Sequence, residues 1–210
     1  MKIYISLLGA LLFSVKLMAA SVIASAPEQV TPLLNGLTIP SVTLQDVNDQ
    51  TVALNTLISK KPTVLVFYRG GWCPYCNAQL ASLRTVEPRL QQLGYQIIAI
   101  TPDGVASIRN SLADTKGEKL NYTLLSDHDF SASTAFGLAY YLDDKTAMAY
   151  KGKLGSLITT EAGTDKVVLP VPAVYILNTK GEALFNYVHV NYKTRLESEL
   201  LLKAAELALQ

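Results

Sequence analysis

Residues 64–80 read VLVFYRGGWCPYCNAQL and restrict what this chain can fold into more than any other stretch. Val64 to Tyr68 is a β-branched and aromatic run, the composition of a strand covered on both faces. Arg69-Gly70-Gly71 interrupts it with backbone permissive enough for a tight turn. Pro74 stands where a helix begins, since its missing N–H would find no partner there anyway. The only two cysteines, Cys73 and Cys76, straddle that start in C-x-x-C spacing. At a helix N-terminus, unpaired N–H groups and the helix dipole favour the thiolate. The pattern points to a redox-active centre. A structural disulfide bond is the bland alternative, but so short a loop restrains an unfolded chain little.

The chain has 210 residues, half of them hydrophobic, enough for one domain with a substantial core and short for two. Its start differs in kind from the rest. Lys2 gives a positive start, Ile3 to Val15 is an apolar run, and small residues follow at Ala19, Ala20, Ala24 and Ala26. Residues 1–24 are therefore expected to be a secretory signal peptide. A cut after Ala24 suits the small-residue rule through Val22 and Ala24, and a cut after Ala20 competes with it. Lys16 breaks the apolar run, so an uncleaved membrane anchor is a further alternative. Export is the expected address, periplasmic if the source is a Gram-negative bacterium. Loss of Lys2 and Lys16 would take the net charge from +1 to −1, given 18 basic and 17 acidic residues. Such balance offers no electrostatic footprint for nucleic acid, and a membrane partner is expected only if the leader stays uncleaved.

The remaining pattern sets the architecture. Residues 25–36, with Pro27 and Pro32, read as a linker and entry segment, and residues 37–210 as the domain. Val42, Leu44, Val47 and Val52 alternate around Asn48-Asp49-Gln50, which predicts a small hairpin. Leu54 to Ser59 reads as a short helix. Leu80, Leu83, Val86, Leu90 and Leu93 form one helical face after Pro74, with Pro88 expected to kink or end it. Tyr95 to Ile100 is a second core strand, followed by a helix through about Asp114. Tyr122 to Leu125 gives a third strand, and Ser131 to Phe136 a short helix stopped by Gly137. Residues 143–164 are irregular and long for a loop, so they should carry structure or cover the site. Val174 to Leu177 and Ala183 to Val188 form a hairpin, and Thr194 to Leu209 a closing helix. This order implies an α/β domain, a mixed sheet with helices on both faces.

Phe67-Tyr68-Arg69-Gly70-Gly71-Trp72-Cys73-Pro74-Tyr75-Cys76 resembles the active-site turn of the thioredoxin superfamily. Leu169 to Leu177, with its Asn178-Lys180-Gly181 turn, resembles that superfamily's cis-proline strand and hairpin. The chain is more specifically similar to the peroxiredoxin-like alkyl hydroperoxide reductase/thiol-specific antioxidant family, through residues 39–54, Ile100-Thr101-Pro102-Asp103, and Leu124-Leu125-Ser126-Asp127 on to Phe136-Gly137. The resemblance covers residues 37–208. It implies a thioredoxin-like, peroxiredoxin-type mixed central sheet with helices on both faces and an N-terminal β-hairpin. It also implies antioxidant thiol chemistry. Three positions depart from the patterns it brings. Cys73 stands where peroxiredoxins carry a threonine, so that Cys76 takes their peroxidatic place. Pro172 stands where they carry a peroxide-binding arginine, and Phe67 where thioredoxins bury an aspartate.

Disulfide exchange needs one activated thiolate and a second thiol waiting behind it. Cys73 at the helix tip suits the first role and Cys76 the second. Arg69 is either a stabiliser of the Cys73 thiolate or a surface cation on a turn. Trp72 would shape the contact surface. The resemblance implies a cis bond before Pro172, with the Val171 backbone pairing to substrate chain, and Pro170 competes for the role. A zinc site needs four ligands, and only His128 and His189 could join the cysteines, so no metal and no cofactor is expected. The main expectation is an exported thiol–disulfide oxidoreductase cycling a Cys73–Cys76 dithiol and disulfide with a protein or small-molecule thiol or disulfide as redox partner. The alternative is a thiol-dependent peroxidase in which either cysteine takes a hydroperoxide to a sulfenic acid. An inert disulfide in a binding domain is the third reading.

Overall fold

The computed structural model describes residues 22–113 and 121–208. The expected leader lies almost wholly outside the described residues, as does Asp114 at the expected end of its helix. Among the described residues no helix is long and apolar enough to cross a membrane.

The first hairpin is β1 (Thr43–Gln45) and β2 (Thr51–Ala53), followed directly by α1 (Leu54–Ile58). Three parallel strands come next, each followed by a helix: β3 (Thr63–Phe67), β4 (Gln96–Thr101) and β5 (Thr123–Ser126), with α2 (Pro74–Gln92), α3 (Val105–Ala113) and α4 (Ser131–Ala135). A short pair, β6 (Ala139–Tyr141) and β7 (Val168–Pro170), brackets α5 (Asp144–Leu154). The chain closes with hairpin β8 (Ala173–Leu177) and β9 (Ala183–Val188), then α6 (Ser198–Ala208). The central sheet has seven strands in the order β2-β1-β5-β4-β3-β8-β9, with β8 antiparallel to β3.

Period-two alternation along β3 builds two cores. Val64, Val66 and Tyr68 join Leu83, Val86 and Leu90 of α2 and Leu201, Leu202 and Ala205 of α6. Leu65 and Phe67 face the other side, with Leu54 and Ile58 of α1, Ala132 and Phe136, and Ala147 of α5. Helices thus cover both faces, and β3 is buried along its whole length. This leaves the carboxyl end of β3 as the place where its chain emerges between the layers, the usual location of sites in such sheets.

Four expectations need correction. Of the two outcomes expected at Pro88, an end to the helix does not occur: α2 runs unbroken from Pro74 to Gln92. The packing of Leu83, Val86 and Leu90 on one face outweighs the local cost of an interior proline. The closing helix begins at Ser198 rather than Thr194, anchored where the Ser82 and Ser198 hydroxyls meet at 2.7 Å. Residues 25–36 are no free linker. The Thr31 and Leu33 N–H groups donate to the Gly137 and Phe136 carbonyls, and Gly36 donates to Ala183. Just upstream, Ala24 donates to Ala139 and accepts from Tyr141, extending the small sheet. Finally, the bond before Pro172 is trans. The chain runs straight from β7 into β8, and the Val171 N–H is already spent on the Leu138 carbonyl at 3.0 Å.

Candidate active site

The turn leaving β3 is held by backbone and one carboxylate. Gly70 has φ +146°, and a Cβ there would overlap the Trp72 indole and the Asp103 carboxylate. Only glycine lets the chain fold back so closely. Asp103, two residues past β4, accepts the Gly71 N–H at 2.7 Å and the Trp72 indole N–H. Cys73 then caps α2, its carbonyl accepting from the Cys76 and Asn77 N–H groups at 3.0 Å each. One turn of helix therefore brings both sulfurs together, and both are free thiols.

Their protonation is asymmetric. Cys73 is lowered to about 6, first by the hydrogen bond from the Cys76 thiol. Burial opposes that shift, while the Cys76 N–H, Arg69 and Arg195 assist it. Cys76 moves the other way, pushed far above the ordinary thiol range by donation to Cys73, by burial and by the Cys73 charge. The Arg195 Nη2 donates to Cys76 Sγ at 3.4 Å. This pairing poises Cys73 as thiolate and Cys76 as reserve thiol at neutral pH. Asp103 itself is raised to about 6, chiefly by burial, with the Gly71 and Trp72 hydrogen bonds opposing.

Arg69 is no surface cation: it is 1% exposed. Its guanidinium carbon lies 4.1 Å from the centre of the Tyr192 ring, 5.5 Å from Trp72 and 5.6 Å from Tyr150. Trp72 is half-buried and meets Tyr150 edge-on at 5.5 Å. Tyr150 belongs to α5, so the irregular 143–164 stretch does cover the site, and Thr159 ties it down on the Pro102 carbonyl at 2.8 Å. Val171 and Pro172 are both buried. With its N–H engaged, Val171 has no free donor for a substrate chain. His128 is exposed, and His189 accepts the Asn191 N–H through Nδ1 at 3.0 Å.

Three contributors were missed from sequence. Asp103 had a usable signal, an acid just past the end of a core strand in a parallel sheet. Arg195 and Tyr150 had none, because they lie 119 and 81 positions from the groups they meet.

A mixed-sheet thioredoxin fold with a cysteine capping α2 and a second one turn on is an architecture of the peroxiredoxin type. Residues 36–183 match the AhpC/TSA family, and the chain belongs to it. Over 107 residues, half of this chain, it is 31% identical to a bcp relative from Haemophilus influenzae and 28% to peroxiredoxin Bcp of Escherichia coli. The match covers 66% of each relative's length. Among solved structures, peroxidoxin BcpB of Mycobacterium tuberculosis superposes with TM-score 0.62 at 18% identity, over 83% of this chain and 96% of that one. A thiol peroxidase from Chromobacterium violaceum gives 0.60 at 18%, over 90% and 92%.

Proposed function

We propose that this chain is an exported thiol-dependent peroxidase whose attacking sulfur is Cys73. The observation that carries the reading is the Cys73 thiol lowered to about 6 in hydrogen-bond contact with Cys76, in a chain of the AhpC/TSA family. The Cys73 thiolate attacks a hydroperoxide oxygen, the O–O bond breaks, and the alcohol or water leaves with a proton. Cys73 becomes a sulfenic acid. The Cys76 thiol then displaces water from it, closing the Cys73–Cys76 disulfide. Two equivalents of thiol, from a protein or small molecule, restore the dithiol. Arg195 beside Cys76 Sγ stabilises the thiolate released in that last exchange. Cys73 is only 1% exposed, so a substrate oxygen reaches it when the covering side chains part.

Three serially linked assays test the reading. Wild type should consume peroxide continuously with a dithiol reductant. Cys73→Ser should lose about a hundredfold or more of that rate, as expected when a nucleophile is removed. Cys76→Ser should turn over one equivalent and accumulate sulfenic acid at Cys73. Peroxide consumption surviving in Cys73→Ser would sink the assignment of that sulfur.

Disulfide exchange is the second reading, favoured by sulfurs in mutual contact and by Pro172 in place of an arginine. A wild type inert to peroxide, with Cys76→Ser trapping a mixed disulfide through Cys73, would establish it instead.

A further inference from the structure

Arg69 poses a problem that the redox chemistry leaves open. Two of its three side-chain nitrogens, Nε and Nη1, are buried and have no hydrogen-bond partner among the described residues. Nη2 reaches only the Tyr150 hydroxyl, at 3.5 Å. Buried polar groups are nearly always satisfied, and a buried charge without hydrogen bonds is costly. The three surrounding rings relieve part of that cost. Cation–π contacts, however, engage the face of a guanidinium, whereas its N–H bonds lie in the plane. The in-plane donors remain open.

The Arg69 side chain borders a space, from which Nε and Nη1 are themselves screened. Arg69 forms part of the wall of a cavity of about 340 Å³, with Pro27, Tyr140, Leu142, Val190 and Tyr192. That wall is largely aromatic and aliphatic. Its acidic member, Asp143, has Oδ1 committed to the Thr146 N–H at 2.9 Å as the cap of α5. A buried cation with free planar donors, at the end of an apolar pocket, matches a planar anion attached to an apolar body.

We propose that this pocket binds an organic carboxylate, its apolar part between Leu142, Val190 and Tyr192 and its charge on the Arg69 guanidinium, which a turn of the covering Tyr192 ring uncovers. The site adjoins the dithiol through Trp72 and shares Arg69 with it, since that guanidinium also favours the Cys73 thiolate. The proposal holds whether the sulfurs act on peroxides or on disulfides.

Isothermal titration calorimetry of the reduced full protein with octanoate tests it, using octanamide and inorganic phosphate as comparators. Octanoate should bind saturably at one site, with octanamide and phosphate each at least about tenfold weaker. Arg69→Met should weaken octanoate by about tenfold or more. Should circular dichroism show that variant unfolded, Val190→Glu decides. Val190 is 42% exposed at the pocket rim, so a glutamate there is tolerated by the fold and repels the carboxylate. Retention of full octanoate affinity in the folded variant overturns the proposal. So does an absence of octanoate binding to wild type. Equal binding of octanamide would show a merely apolar pocket, and equal binding of phosphate a general anion site; either result overturns it as well.

Discussion

At the scale of single residues, the site depends on which sulfur holds a proton. Donation from Cys76 is the largest influence on Cys73, so the two thiols act as one device. Ultraviolet thiolate absorbance followed against pH should show one sulfur ionising with a midpoint near 6. Cys76→Ala removes the principal donor and should move that midpoint up towards the ordinary thiol range of about 8.5. A midpoint unmoved in Cys76→Ala would mean that the helix terminus and arginines suffice. At this scale the sequence was partly legible. Cys73 and Cys76 are visible because three positions on one helical turn fix their geometry locally. Arg69 is visible as a residue but not as a buried one, since burial depends on Tyr150 and Tyr192 from distant segments. Val171 misleads for the same reason: its donor is consumed by Leu138, a partner no local pattern announces.

At the scale of elements, two junctions carry measurable consequences. Gly137 ends the α4 turn with φ +66°, and a Cβ there would overlap the Thr31 carbonyl oxygen of the entry segment. Gly137→Ala should therefore lose more than about 2 kcal/mol, read as a lower urea midpoint with an unchanged slope. The second junction is the start of α4, where the Asp127 carboxylate accepts the Ala132 and Ser133 N–H groups at 2.8 Å each. Burial raises Asp127 from 3.8 to about 6 despite those bonds. Between those values the folded form keeps a proton that the unfolded form has released, so this group lowers stability as pH rises. The limit is roughly 3 kcal/mol for a shift of that size. Urea denaturation of wild type against Asp127→Asn should show wild type losing ground from pH 4 to pH 6, then running parallel. A difference flat across that window would rule it out. Long elements with clear periods were legible: β3, α2, β4 and the β8–β9 hairpin. The pair β6 and β7 was not, because α5 rather than a tight turn lies between its strands, so no local turn signal marks them as partners.

At the scale of the whole molecule, the two cores on either side of the sheet explain why the fold class could be read and the edges could not. Burial on both faces forces β3 to be apolar from Val64 to Phe67, a signal any reader of the chain meets. The entry segment is held instead by backbone hydrogen bonds, which leave no mark on side-chain pattern. Its pairing bears on export. Ala24 uses both its N–H and its carbonyl in the small sheet, so processing after Ala20 preserves that anchor and processing after Ala24 destroys it. If the proposed leader is cleaved, mass spectrometry of the mature chain should find it beginning at Ser21; one beginning at Ser25 would contradict this.

Trp72 is the chain's sole tryptophan. It donates to Asp103, touches Tyr150 and precedes Cys73, which makes its emission a built-in optical gauge of the site. Each oxidation and each reduction of the neighbouring sulfurs can be timed in a stopped-flow instrument, on the unmodified protein and without any added dye.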